Sequence, residues 1–381
     1  MDSKPRILTL FLSNGKSLRA WEREAILSRE ILLYLHFLRE GVFERIQIFS
    51  YDAGDRDFVK ELARAEPLYE RIDILAPKRG AMTGARAASW GIRGPLAHRA
   101  AIARSHALKT NQISGSWAAL VAARVTRRPL ILRLGYLLSR RFAKNGEAGK
   151  ERIARAIEGI GSRLARYILV SSQEMADALG RDPAAAGKTV LTPTYVDIAT
   201  FAPKGEHRFD EPLIWVGRMT AQKNLENLLR GCAIAGRDIV LVGQGEQEAE
   251  LRALAAGLPI DVTFAGMIPN DRLAAKLREH SVFILPSVHE GLPKVMIEAM
   301  ASGLVCIGTP ISGIVDLIRD GENGYLTEGI EAEAIAETVR RAFEERDAGL
   351  GRRARAIVEE AFSLERYAAR EAALYLGLDQ K

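Results

Sequence analysis

Short apolar runs alternate with helix-patterned stretches along nearly the whole chain, and this rhythm constrains the fold more than any other property. In the first half the runs are RILTLFLS, RIQIFSYD, ERIDILAP, ALKTNQI, PLILRLG and RYILVSS, with a helical stretch over about residues 21–40 after the first. The proline-bearing segment LTPTYVDIATFAPKGEHRFDEP interrupts the series. A second series follows: PLIWVGR, RDIVLVG, IDVTFAG, SVFILPS, LVCIGT and GYLTEG. Continuous apolar runs bounded by glycine suit strands buried on both faces, and their alternation with helices predicts parallel, doubly wound sheets in an α/β protein. A chain of 381 residues exceeds what one hydrophobic core usually supports, so two domains are expected. The linker is placed near Pro203, giving residues 1–203 and 204–363, with an amphipathic tail helix at 364–381 packing back on the first. Two Rossmann-like domains facing one another leave a cleft lined by the carboxyl ends of both sheets, where such folds bind ligands.

Bulk properties exclude several classes. A composition 48% hydrophobic and 27% charged is that of a soluble globular chain, neither disordered nor fibrous. The N-terminal apolar run is short, is followed by Asn14, Gly15 and Lys16, and reads as a first strand, not as a signal peptide. No stretch has the roughly 18 to 20 apolar residues of a membrane span. The expected location is therefore cytoplasmic. The two cysteines, Cys232 and Cys306, lie in apolar surroundings and read as plain buried thiols in a reducing compartment. Net charge is +6, but residues 78–166 hold nineteen Lys and Arg against Glu147, Glu151 and Glu158, a local net of +16. Such asymmetry points to a polyanionic neighbour, with an arginine-rich solvated surface as the plain alternative.

The strongest local signal is SVHEGLPKVMIEAMASG, which directly follows an apolar run. It puts Glu290 at a strand's carboxyl end and Pro293 in the first turn of a helix that runs to about Ser302 and is capped by Gly303. A helix N-terminus reached through Gly291 is a ready anion site, and a diphosphate is a natural occupant. Glu298 lies on an otherwise apolar helix, so its carboxylate needs a partner. Either it forms an internal salt bridge with Arg218 or Lys223, or it accepts hydrogen bonds from vicinal hydroxyls such as those of a ribose. The second signal is WVGRMTAQKNLENLLRG, in which a strand ends at Gly217, Arg218 follows, and Lys223 comes five residues later. Two cations there suit a diphosphate, one as a bidentate fork and one as a point charge.

In this order the two signals resemble the GT-B glycosyltransferases, and in particular glycosyltransferase family 4 (glycosyl transferases group 1). Its E-x7-E signature is matched by Glu290 and Glu298, preceded by the strand-end G-R-x(4)-K of Gly217, Arg218 and Lys223. GQGEQEAELRAL, FAGMIPNDRL, GTPISGIVDLIRDGENGYL and TYVDIATFAP match further, although Thr194 and Tyr195 replace the usual Asn-Gly. The resemblance implies that Arg218 and Lys223 hold the donor diphosphate and stabilise the departing nucleoside diphosphate, as electrostatic catalysis requires. It also implies that Glu290 lies against the transferred sugar and that Glu298 binds the ribose. Gly291, Leu292, Pro293 and Lys294 would meet sugar and phosphate, while Gly266, Met267 and Ile268 would flank the base. Such enzymes usually retain anomeric configuration by a front-face mechanism without a metal, so no metal or other cofactor is expected.

The first half resembles the family more loosely and should bind the acceptor. GKSLRAWEREAILSREI looks like an acceptor-side loop and helix, which brings in Gly15, Lys16, Ser17 and Trp21; the alternative for Trp21 is that it packs the first helix. A histidine that many members carry is absent from RLGY, leaving Arg133, Asn111 and Ser116 as candidates to touch the transferred sugar. The basic stretch, with SWGIRGPLAHRAAIARSHALK and GYLLSRRFAK, favours an acceptor on an anionic membrane and a location peripheral to its inner face.

Other patterns carry less. Asn14-Gly15-Lys16-Ser17 lacks the first glycine of a phosphate-binding loop, since Leu10 stands there. Gly243-x-Gly245 lacks the third glycine of a dinucleotide fingerprint, with Glu248 in its place. Asp55-Arg56-Asp57 reads as a helix cap with a salt-bridging neighbour before it reads as a metal site, and His289 reads as a packing or hydrogen-bonding residue as readily as a catalytic one. The resemblance thus implies a retaining hexosyltransferase using a nucleotide-sugar donor and a glycan or lipid-linked acceptor in cell-surface polysaccharide synthesis, with no nucleic-acid partner expected. A GT-B-fold epimerase and a non-catalytic basic binding module are the rivals.

Overall fold

The structure, a computed structural model, describes residues 6–378 apart from Gly115, Asn145, Lys204 and residues 206–208, and leaves the side chains of Arg141 and Lys144 undescribed. The chain divides into two compact units, Met1–Pro193 with Ala368–Lys381, and Thr194–Tyr367. The first unit is built on a seven-stranded sheet of β1 (Ile7–Phe11), β2 (Arg45–Phe49), β3 (Ile72–Leu75), β4 (Ala107–Thr110), β5 (Leu130–Leu134), β6 (Ala165–Val170) and β7 (Thr189–Leu191), in the order β3-β2-β1-β4-β5-β6-β7. The second has a six-stranded sheet of β8 (Leu213–Val216), β9 (Ile239–Val242), β10 (Val262–Gly266), β11 (Val282–Leu285), β12 (Val305–Gly308) and β13 (Tyr325–Leu326), in the order β10-β9-β8-β11-β12-β13. All pairings within both sheets are parallel, as the alternation of strands and helices requires. Every apolar run of the sequence became a strand. The runs are mostly apolar because helices cover both faces, and β9, β11 and β12 are buried at every residue.

Three local features differ from expectation. β7 lies at the start of the proline-bearing segment, where KTVL was not read as a strand. The single helix expected over 21–40 is two helices, Leu18–Arg23 and Leu27–Arg39, because Ala25 takes the left-handed conformation at φ 54° and breaks the ladder. Asp55 does cap a helix, but not its own: its buried carboxylate accepts from the amides of Leu18 (2.8 Å) and Arg19 (3.1 Å) and from Ser50 Oγ (2.6 Å). It therefore closes the N-terminus of Leu18–Arg23 from another element. Burial holds its pKa above the ordinary carboxylate value, with the hydrogen bonds from Ser50, Leu18 and Arg19 pulling the other way. Asp57 pairs with Lys60.

Cys232 and Cys306 are free and buried, and burial pushes the Cys232 thiol up to about 12 and that of Cys306 higher still. Among the described residues no helix is long and apolar enough to cross a membrane.

Candidate functional site

In each sheet the strand order reverses once, between β1 and β4 in the first unit and between β8 and β11 in the second. Loops leaving the carboxyl ends of two such strands diverge and leave room for a ligand. In the second unit these are the loops that carry Arg218 and Lys223 after β8, and Glu290 after β11.

The two loops are stitched together by backbone. Val288 N donates to Gln222 O at 2.9 Å, and Gln222 Nε2 donates to His289 O at 2.7 Å. This stitching brings Lys223 Nζ onto Glu290 Oε1 as an ion pair, and the same oxygen accepts from Ser287 Oγ at 2.8 Å. Both charged side chains are largely enclosed, at 16% and 10% exposure. Lys223 sits in the turn Ala221–Lys223 and not yet in the following helix, and Asn224, at φ 56°, re-aims the chain into Leu225–Ala235. Asn224 is held there by its side-chain amide on Ile330 O at 2.7 Å.

Glycines let neighbouring loops come this close. A Cβ on Gly243 (φ 132°) would lie 1.8 Å from Gly217 O, and one on Gly313 (φ 84°) would lie 1.6 Å from Gly291 O. Gly243-x-Gly245 is thus a packing device, and Gly245 approaches Met219 O in the same way, at 2.2 Å.

Glu298 lies on the helix Lys294–Ala301, for which Pro293 is the N-cap, one position earlier than the sequence suggested. Its side chain is almost fully enclosed, at 3% exposure, and accepts a hydrogen bond from Asn270 Nδ2 at 3.2 Å. Of the two cations considered as its partner, Lys223 is bound to Glu290 instead. Arg218 is exposed beside Gly217. Gly266 takes φ 67° at the end of β10, where its carbonyl accepts from Gly243 N at 2.7 Å; Met267 is exposed and Ile268 half-buried. Gly291 is exposed, Leu292 half-buried and Pro293 buried, while the Lys294 ammonium lies 4.7 Å from the Tyr195 ring centre.

Three contributors were not singled out from sequence: Ser287, Asn270 and Gln222. All three stand inside quoted motifs, SVHEGLPKVMIEAMASG, FAGMIPNDRL and WVGRMTAQKNLENLLRG, so the signal was present; what sequence lacked was the contact that gives each a role.

In the first unit the predicted residues fall into two groups. Gly15 (φ 74°) turns the chain after β1, Lys16 pairs with Glu24, Ser17 caps Leu18–Arg23 by accepting from Ala20 N, and Trp21 is buried, as its packing alternative has it. Asn111 and Ser116 are buried at the end of β4 and the start of the helix Ser116–Thr126, each with a side-chain oxygen that has no hydrogen-bond partner among the described residues. Asn111 Nδ2 reaches Glu30 Oε2 at 3.4 Å. Arg133, half-buried on β5, acts electrostatically on the buried Lys109.

Two doubly wound parallel units, the second with a cation and a carboxylate paired at its switch point, define a protein of the GT-B class. Residues 211–345, which lie within the second unit, match the family described as glycosyl transferases group 1. The chain is similar to sulfoquinovosyl transferase SQD2 of Arabidopsis thaliana, 33% identical over 170 residues that cover 39% of this chain and 33% of that one. It is likewise similar to the putative colanic acid biosynthesis glycosyltransferase WcaL of Escherichia coli, 32% identical over 188 residues, 44% of this chain and 46% of the other. The matched stretch thus spans less than half the length of these relatives. Solved structures resemble the fold over nearly the whole chain. Sucrose-phosphate synthase from Thermosynechococcus elongatus superposes with a TM-score of 0.75 at 21% identity, covering 98% and 99% of the two chains. Anabaena HepE in complex with UDP and glucose gives 0.72 at 19% identity, covering 96% and 98%.

Proposed function

We propose that the chain is a retaining glycosyltransferase that moves a hexose-type sugar from a nucleoside-diphosphate sugar to a glycan or glycolipid acceptor in cell-surface polysaccharide synthesis. One observation carries the reading: the enclosed Lys223–Glu290 pair, with Ser287 on the same oxygen, at the switch point of the second unit. An ammonium has three donors, so Lys223 can keep Glu290 and still meet a phosphate oxygen of the donor. Arg218, exposed on the adjoining loop, supplies the second cation. As the glycosidic bond to the diphosphate breaks, negative charge grows on the leaving phosphate, and the two cations stabilise it. Glu298 accepts from the ribose hydroxyls, with Asn270 orienting it. The complex of HepE with UDP and glucose, and relatives named as sugar transferases, support this class of donor.

Titration with a panel of uridine, guanosine and adenosine diphosphate sugars tests the proposal, with slow donor hydrolysis as the activity readout. One nucleotide sugar should bind and be hydrolysed; if none binds at millimolar concentration, the reading fails. Glu298→Ala should raise the donor dissociation constant about tenfold to a hundredfold, the value of a charged hydrogen bond or two. Turnover should survive a chelator, because the charge on the leaving group is met by Arg218 and Lys223; loss of activity with EDTA, restored by a divalent ion, would contradict this. Interconversion of nucleotide sugars without transfer would favour the epimerase. Salt-sensitive RNA binding without donor binding would favour the basic module.

A further inference from the structure

In the first unit the helices Gly84–Ala97, Ser116–Thr126 and Ala148–Leu164 pack side by side, the middle one against both neighbours. Between the second and third runs an open groove of about 570 Å³, floored by Leu120, Val121, Ile157 and Ile160, with the exposed Arg124 and Arg163 in its lining. It continues past Trp117 and Ile157 into a second hollow of about 390 Å³ that reaches Asn14, Ser114 and Lys150.

The third helix exposes an apolar stripe along the groove, beside its exposed Lys150, Arg152, Arg155 and Arg163. Ile153, Ile160 and Leu164 are 64%, 47% and 39% exposed and, with Ile157, form one stripe at helical spacing. Ile92 (55%) and Leu96 (51%) project from Gly84–Ala97 as well. Isolated exposed hydrophobes are ordinary, but a stripe along a groove marks an interaction surface.

Charge decides the partner. The three acids of this region are already engaged: Glu147 pairs with Lys150, Glu151 with Arg155, and Glu158 accepts from Ser139 N (3.0 Å) and Ser139 Oγ (2.6 Å). Arg124 and Arg163 remain exposed in the lining of the groove beside the apolar stripe. A two-fold contact with a second copy would set these arginines against one another. A nucleic acid would meet the arginines but leave the isoleucines in water. An anionic bilayer satisfies both, with hydrocarbon under the stripe and phosphate at its border.

We propose that this face docks on an anionic lipid bilayer, with acyl chains meeting Ile153, Ile160, Leu164 and the groove, and lipid phosphates meeting Arg124 and Arg163. The inference does not rest on the transferase reading, since it is read with no donor present. The test is co-sedimentation of the full chain with vesicles of phosphatidylcholine alone or mixed with phosphatidylglycerol, at low and high salt. The chain should partition onto the mixed vesicles and lose affinity with salt. Arg124→Gln with Arg163→Gln should weaken partitioning about fivefold per charge removed. Ile153→Ser with Ile160→Ser should weaken it roughly tenfold or more. All these side chains are exposed, so melting temperature and donor binding should be unchanged in both variants. Equal binding to neutral and anionic vesicles, or wild-type binding by both variants, would overturn the proposal. So would a dimer in gel filtration that Ile153→Ser with Ile160→Ser dissociates.

Discussion

Lys109→Met should destabilise the first unit by about 3 to 5 kcal/mol, the usual consequence of removing one partner of a buried ion pair. Lys109 stands on β4 with its side chain wholly enclosed and pairs with Glu371, equally enclosed, on the C-terminal helix Leu364–Leu376. Its ammonium lies 5.0 Å from the Tyr34 ring centre, and Tyr375 OH donates to Glu371 Oε1 at 2.6 Å. Burial pushes the Lys109 pKa down against the pull of Glu371, and the charge of Arg133 pushes the same way. Without Lys109 the carboxylate keeps one hydroxyl partner, and its other oxygen already lacks one. For a unit of this size the expected fall in melting temperature is about 10 °C or more. Lys109→Met combined with Glu371→Leu should recover most of the loss, because replacing both charges with apolar groups removes the desolvation cost along with the attraction. A single variant that melts within about 1 °C of the wild type, or a double variant no better than the single, would contradict this account.

That pair also marks a limit of the sequence. Lys109 sits in ALKTNQI and Glu371 in a tail helix, 262 residues apart, and no local pattern links them. The tail's amphipathic spacing was legible; the charge on its buried side was not, because a glutamate on a helix ordinarily faces water. Of the thirteen described strands, by contrast, all but β7 were readable one by one. A strand covered on both faces must be apolar along its length, so the pattern reports the architecture directly. The helix break at Ala25 was invisible, since alanine is the strongest helix former and yet takes φ 54° here as the left-handed residue closing the first helix, where Ile26 N donates to Trp21 O at 2.9 Å.

The candidate site was legible in its residues and not in its contacts. Spacing put Arg218 and Glu290 at strand ends, Lys223 near the start of the next helix and Glu298 on an apolar helix. It could not say that Lys223 would pair with Glu290 while Glu298 takes Asn270. That partition depends on Gln222 holding the two loops together, and on Gly243 and Gly313 allowing backbone contacts that any side chain would block. The acceptor-side residues were the least readable. Trp21 and Ser17 serve the first helix, and Asn111 and Arg133 lie among buried charged groups, so their residue types answer first to folding.

Lys223→Met should lower turnover of the proposed reaction by about a hundredfold to a thousandfold, the range for removing one preorganised group that stabilises developing negative charge. Two effects combine. The departing diphosphate loses a point cation, and Arg218 remains as a bidentate partner that cannot occupy the same position. Glu290, 10% exposed, also loses its counter-charge and keeps Ser287 Oγ as the donor on Oε1. The charge left on Glu290 then repels the donor phosphates, so the Michaelis constant should rise along with the fall in kcat. Lys223→Arg separates the contributions: it keeps the charge, restores part of the donor affinity, and recovers little turnover, because a planar fork does not reproduce a compact ammonium. Lys223→Met combined with Glu290→Gln should restore affinity further by removing the unpaired carboxylate, without restoring kcat. Steady-state kinetics on the three variants distinguishes these outcomes. A Lys223→Met enzyme with wild-type kcat would remove Lys223 from the chemistry and leave the pair with Glu290 as a fastening between two loops.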